Sequence, residues 1–293
     1  MRILLTGGTG FIGKNIKEQL AGKYTIDAPP SESLDLLCYD VVERYLKEGH
    51  FDIVIHTATW NATRNSPKDL TKVTRNNLKM YFNIARCQSH FGRMIYYGSG
   101  AEFDTDHWIS RMSEEYFDSH VPSNDYGFSK YVMAKYTEKS EGIVDLRLFA
   151  VFGKYEDPRI RFISNACCKA VLDMPITIKA NRIFDYLYID DLVRITEWFI
   201  EHEPKKKFYN ICTGRVFDFI TIAEKIIKAS GKALDIVIAN STPGLEYSGD
   251  NSLLLGEIGG YTFLNLDSCI SELYQWYLSR KESIDREKFT IDL

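Results

Sequence analysis

Residues 4–13, LLTGGTGFIG, constrain the fold more than any other stretch of the chain. Arg2 to Leu5 is a short apolar run suited to a strand buried on both faces. Gly8-Thr9-Gly10-Phe11-Ile12-Gly13 then spells G-x-G-x-x-G, and Ile12, Ile16 and Leu20 follow at helical spacing. Strand, glycine loop and helix in that order are the context a dinucleotide-binding turn requires. Glycines let the chain turn tightly and let a pyrophosphate approach bare amides at the positive end of a helix. Gly7, Gly10, Phe11, Ile12 and Gly13 are the candidate residues of this turn. A purely structural glycine turn is the alternative reading.

Strand-like and helix-like segments alternate through the first half. The pattern predicts strands at 24–28, 51–56, 93–97 and 144–149, with helices at 39–48, 70–89 and 125–140 between and after them. Repeated units of this kind imply an α/β fold with a parallel, doubly wound sheet, in which ligands bind at the carboxyl ends of the strands. After Gly153 the rhythm breaks. A short strand at 176–179, a strand-to-helix step at 186–200, a strand at 208–211 and helices at 219–230 and 268–280 are expected there. The expected division is a dinucleotide-binding domain, 1–155 plus about 183–212, and a smaller discontinuous α+β substrate lobe, about 156–182 plus 213–293. The cleft between them is the expected substrate site.

Composition narrows the class. Hydrophobic residues make up 45% and charged residues 26%, as in a soluble globular protein, and the net charge of −4 advertises no basic surface for nucleic acid. No apolar run is long enough to cross a bilayer, and the first strand begins at residue 2, where a secretory leader would lie. The six cysteines (38, 87, 167, 168, 212 and 269) lack metal-binding spacing. They read as reduced thiols of a cytoplasmic protein without a metal site.

Tyr126-Gly127-Phe128-Ser129-Lys130 puts a phenol and an ammonium one helical turn apart on one face. A nearby ammonium stabilises a phenolate, which suits a phenol that exchanges a proton as a carbonyl and an alcohol interconvert. Alone, the pair favours the reading of a solvated helix face. Ser99 lies just past a predicted strand end, where its hydroxyl can meet the same substrate oxygen. Thr57 and Ala58 follow another strand end, opening a loop expected at 57–65. His56 and His107 are read as non-catalytic, and Trp60, Tyr155 and Tyr247 as packing or pocket-lining aromatics.

Taken together, TGGTGFIG, the strand-end serine and YGFSK resemble the extended short-chain dehydrogenase/reductase family, specifically its nucleotide-sugar-modifying enzymes. The resemblance extends to Asn77 and to Tyr188-Ile189-Asp190-Asp191. It implies that Tyr126 is the general acid/base, that Lys130 binds the nicotinamide ribose and tunes Tyr126, and that Ser99 holds the substrate oxygen. It also implies a cofactor contact at Asn77 and an adenine contact at Asp35-Leu36, a homodimer built on helices 70–89 and 125–140, and a nucleotide-sugar substrate. Val132, Met133 and Tyr136 are candidates for that interface or for the core.

Departures from the family pattern select the reaction. Sugar 4,6-dehydratases carry Asp-Glu after the strand-end hydroxyl, whereas Gly100 and Ala101 stand here. GDP-fucose-type epimerase-reductases use a Cys and a His, whereas Ala101 and Arg159 stand here. Plain hydride chemistry remains. The expected activity is NAD(P)H-dependent reduction of a nucleotide-linked 4-keto-6-deoxy sugar for surface polysaccharide. A retained-NAD 4-epimerase and a non-catalytic cofactor sensor are the alternatives. The tip of the second strand, Pro29-Pro30-Ser31, lacks an acid for the ribose, which favours NADP(H) over NAD(H), with Ser31 as a 2′-phosphate donor. Arg159, Arg161 and Arg182 are the candidate phosphate contacts, and Tyr247, Gly100 and Ala101 candidate sugar contacts.

Overall fold

A computed structural model describes residues 1–60, 68–240, 242 and 244–290. Six parallel strands form the main sheet. They are β1 (Arg2–Thr6), β2 (Thr25–Asp27), β3 (Phe51–His56), β4 (Phe91–Ser99), β5 (Ile143–Leu148) and, later in the chain, Phe208–Ile211. Helices α1 (Phe11–Leu20), α2 (Tyr39–Gly49), α3 (Val73–Ala85) and α4 (Asp125–Lys139) connect and cover the first five. The parallel, doubly wound α/β sheet expected from the alternation is present. Its strand order is β2-β1-β3-β4-β5 and then Phe208–Ile211, so the winding reverses between β1 and β3. The ends of those two strands, Thr6 and His56, are paired, which puts the glycine loop and Thr57-Ala58 together at the reversal point.

Strands β1 and β3 are buried along nearly their whole length, as expected of a sheet covered on both faces. One core cluster joins Ile3, Leu5, Ile53, Ile55 and Leu146 to the helices of the second half. The other packs Leu4, Val54, Met94 and Tyr96 under Leu46, Tyr81 and Met133. Met133 therefore belongs to the core, while Tyr136 is partly exposed and sets its ring edge-on to Phe82.

The second half adds β6 (Ala150–Phe152), α5 (Phe162–Val171), β7 (Ile176–Ile178), β8 (Ile183–Tyr188), α6 (Ile189–Glu201), β9 (the sixth main strand, Phe208–Ile211) and β10 (Val216–Asp218). These are followed by α7 (Phe219–Ser230), β11 (Ile236–Ile238), β12 (Glu246–Tyr247), α8 (Ser252–Glu257) and α9 (Leu266–Leu278). β8 pairs with β6, β10 and β12 in a separate small sheet, and β7 pairs with β11. The stretch 183–188, assigned from sequence to the dinucleotide domain, thus pairs within the small sheet, whereas Phe208–Ile211 returns to the main one. The helix expected at 70–89 is split. The 3₁₀ turn Leu70–Lys72, capped by Asp69, precedes α3, and Gln88–His90 follows it. The expected loop at 57–65 runs beyond residue 60 outside the described residues.

Candidate active site

The glycine loop folds back on itself before α1. Gly7 has φ +74°, and a side chain there would strike Thr57 and the Ala58 backbone. A Cβ on Gly13 would collide with the Gly7 carbonyl, so the helix starts pressed against the loop. Gly10 caps α1 without a side chain, and no acid occupies the first turn. The first-turn amides thus face neither a capping oxygen nor a negative charge. That donor set fits the pyrophosphate of a nicotinamide dinucleotide. Thr57 bonds the Thr6 carbonyl through Oγ1 (2.7 Å), fixing the neighbouring loop.

Ser99 ends β4 and caps a 3₁₀ turn, Gly100–Glu102. Its Oγ accepts from the Ala101 N–H (3.1 Å), and its own N–H donates to Glu102 Oε1 (2.9 Å). Tyr126 and Lys130 lie on α4, which Asn124 caps by accepting from the Gly127 N–H (2.8 Å). Gly127 packs on the Ala101 carbonyl, docking the start of α4 on the Ser99 turn. Lys130 is buried. Its Nζ donates to Tyr96 Oη (2.9 Å) and the Tyr97 carbonyl (2.7 Å) and lies 5.8 Å from the Tyr126 ring centroid. Tyr126 is half-buried. The three residues thus converge on the end of β4, beside the reversal point.

Tyr247 reaches the same place from β12. Its hydroxyl abuts Gly100, where an added Cβ would meet it at 2.5 Å, and it neighbours the Ser99 hydroxyl. Burial pushes the Tyr247 phenol up, so it stays a neutral donor. Trp108 stacks on Tyr247 (4.4 Å between ring centroids), and Phe149 and Phe184 flank it. An aromatic wall, Tyr247 and Phe184 from the small sheet with Trp108 and Phe149 from loops, therefore stands beside Ser99. Arg161 lies close enough to act on the Tyr247 and Tyr186 hydroxyls, and Arg182 is exposed just before β8.

The remaining candidates lie outside the Ser99, Tyr126 and Lys130 centre. Arg159 is turned to Asp157 (2.6 Å) and lines a separate groove with Trp276 and Arg280. An acidic neighbour two residues away captures it more readily than a distant cleft does. Asn77, expected at the cofactor, is buried; its Oδ1 accepts from the Trp60 N–H (2.7 Å), bracing the loop after β3. Leu36 packs in the core under α2 and α3. Asp35 accepts from the Leu37 N–H (2.9 Å), and Ser31 is exposed. Asp191, in the Tyr188–Asp191 segment, pins the C-terminal part by accepting from Tyr261 (2.7 Å) and Leu264 N–H (3.0 Å).

His56 is buried against Tyr96 and bonded to Thr6 Oγ1 (2.7 Å). Burial, aided by the Lys130 charge, pushes its imidazole down to about 3, so it remains neutral and moves no proton near neutrality. Glu156, at the root of the small lobe, is held by the Ser164 hydroxyl (2.6 Å), yet burial pushes it up to about 8 from 4.5. The folded state keeps a proton that the unfolded chain releases, so stability falls as pH rises from about 4.5 through about 8. The expected result is that Glu156→Gln melts above the wild type at pH 8 and that the gap closes at pH 5, as read by thermal unfolding.

Residues 3–212 match the NAD dependent epimerase/dehydratase family. The chain belongs to that family. It is an NAD(P)-dependent enzyme. It is 26% identical to an ADP-L-glycero-D-manno-heptose-6-epimerase of Brachyspira hyodysenteriae, covering 90% of this chain and 89% of that one. It is 24% identical to a GDP-L-colitose synthase of Yersinia pseudotuberculosis, over 97% and 100%. A GDP-mannoheptose C4 reductase from Campylobacter jejuni with NADP bound shares its fold at a TM-score of 0.83 and 18% identity, over 94% and 98% of the two chains. Among the described residues no helix is long and apolar enough to cross a membrane.

Proposed function

We propose that this enzyme reduces the keto group of a nucleotide-linked 4-keto-6-deoxy sugar. One observation carries the choice of reduction over elimination or epimerisation by proton transfer. Glu102 is the nearest carboxyl to Ser99 along the turn. It is fully buried, with one oxygen on the Ser99 N–H and the other on Arg147 Nε (2.7 Å). It faces away from any substrate, and Gly100 and Ala101 carry no titratable group. Arg159 is committed to Asp157. Two phenols then remain beside the strand-end serine: Tyr247, which burial holds neutral, and Tyr126, which has the Lys130 ammonium at hand to stabilise its phenolate and is the proposed proton donor.

Bound reduced nicotinamide supplies the hydride. The Ser99 hydroxyl holds the ketone oxygen, and Tyr126 gives that oxygen its proton. Lys130 stabilises the resulting phenolate with its charge, and its third N–H is free by count for a ribose hydroxyl. Tyr247 and Trp108 shape the sugar side, with Gly100 and Ala101 as its floor. Arg161 and Arg182 are the proposed diphosphate contacts. Gly7, Gly10, Phe11, Ile12, Gly13, Thr57 and Ala58 form the proposed cofactor crevice.

NADP(H) is the proposed cofactor. Asp27, the only acid within β2, already accepts from Tyr45 Oη (3.0 Å) and faces Arg2 (3.9 Å), and exposed Ser31 follows. The proposed setting is a cytoplasmic homodimer, joined through α3 and α4, in deoxysugar synthesis for surface polysaccharide. The GDP-L-colitose synthase likeness supports the substrate class.

The purified enzyme, mixed with NADPH and a panel of 4-keto-6-deoxy sugar nucleotides, is expected to oxidise one equivalent of NADPH per sugar. Interconversion of C4 epimers without net NADPH loss would instead make it an epimerase. Cofactor binding with neither reaction would make it a sensor.

A further inference from the structure

The underside of the Ser99 turn holds a cluster of charges that hydride transfer does not directly use. Asp145 and Arg147 alternate to one face of β5, and Gly98 of β4 is paired opposite Arg147. Gly98 is required there, because a Cβ would collide with the carboxylates of both Asp145 and Glu102. Arg147 Nε donates to Glu102 Oε2 (2.7 Å) and lies 3.5 Å from Asp145 Oδ2. The guanidinium is held over Phe117 (4.3 Å) and Phe208 (4.4 Å). All three ionisable side chains are at most 1% exposed.

Stability does not explain such a cluster. Desolvating a buried ion pair costs about as much as the pairing returns, and well-packed apolar residues of similar size are often as stable. What the cluster has that an apolar core lacks is a directed oxygen. Glu102 Oε1 accepts the Ser99 N–H, while the Ser99 Oγ accepts from Ala101, so the two ends of the turn lock each other. Arg147 fixes the carboxylate that makes the lock. The strand-end turn therefore takes its geometry from β5 as well as from β4.

We propose that Glu102, held by Arg147, is a positioning residue for Ser99, fixing the turn so that the serine hydroxyl meets the substrate oxygen. The inference rests on Ser99 being the substrate-oxygen ligand. Loss of the lock lets the turn drift, and a displacement of about 1 Å can cost on the order of 100-fold in rate.

The test uses the full-length enzyme with four changes. Ser99→Ala is the reference for the underlying reading and is expected to lose most turnover. The double variant Glu102→Leu/Arg147→Met removes the hydrogen-bonded pair together and leaves Asp145 with Lys130 as its remaining cation. It is expected to fold and to bind NADPH as the wild type does, with kcat reduced roughly 10–100-fold and KM shifted less than about 3-fold. Glu102→Gln keeps an oxygen for the Ser99 N–H but turns a donor NH2 toward Arg147 Nε–H, and is expected to recover part of that loss. Glu102→Asp keeps the charge but is one methylene too short to reach both partners, and is expected to lower kcat without changing KM; it decides the matter if the double variant fails to fold. Wild-type kcat in the folded double variant, or in Glu102→Asp, while Ser99→Ala is inactive, would overturn the inference and leave the reductase reading standing. Full activity in Ser99→Ala would remove both.

Discussion

Tyr126→Phe is expected to lower turnover by about 10²–10⁴-fold, the range associated with losing a positioned general acid. The phenol is half-buried at the start of α4, in a helix whose cap is supplied by Asn124 rather than by Tyr126. Removing one oxygen there leaves the cap, the Gly127 contact with Ala101 and the Lys130 bonds in place. Thermal stability should therefore stay within about 0.5 kcal/mol of the wild type, as for changes outside buried networks. NADPH should bind with unchanged affinity, because the glycine loop and Lys130 are untouched. Steady-state turnover and fluorescence titration of NADPH separate these effects. Lost turnover with intact binding places the proton donor at Tyr126, and retained turnover removes it.

Lys130→Met is expected to damage both chemistry and binding. The ammonium is buried and bonds Tyr96 Oη and the Tyr97 carbonyl. It is also the second cation acting on Asp145, whose carboxyl burial pushes up and Arg147 pulls back. Methionine fills much of the volume but supplies neither donor nor charge. A hydrogen bond to a charged group contributes roughly 1.5–3 kcal/mol, so the Kd for NADPH should rise about 10–100-fold if Lys130 holds the ribose. Turnover at saturating cofactor should fall further, since the phenolate left on Tyr126 loses its stabilising charge. A variant with normal Kd and reduced kcat would confine Lys130 to tuning the phenol.

Much of the site was legible because its signals are local. The glycine loop sits between an apolar strand and an amphipathic helix, and the bounds 51–56 and 208–211 follow from short runs in which apolar and aromatic residues dominate. Tyr126 and Lys130 share a helix face by spacing alone. What escaped the sequence depends on pairing between distant segments. Asp145-x-Arg147 is an alternating charged pair inside an otherwise apolar strand, a signal that reads as solvent exposure until Glu102 and Gly98 are brought beside it. Tyr247 was a candidate sugar contact from its residue type, but the strand pairing that brings it to Ser99, β12 beside β8, has no local signal. Arg159 looked available because its capture by Asp157 depends on a surface turn.

The central claim is that Tyr126, Lys130 and Ser99 serve hydride transfer to a sugar ketone. Its most direct test is label transfer from NADPH deuterated at the nicotinamide C4 to a 4-keto-6-deoxy sugar nucleotide, followed by NMR of the product. The account predicts one deuterium at sugar C4 with a single configuration, formed by the wild type and lost in Tyr126→Phe. A panel in which no sugar acquires the label, or equal labelling by the Tyr126→Phe variant, would contradict it.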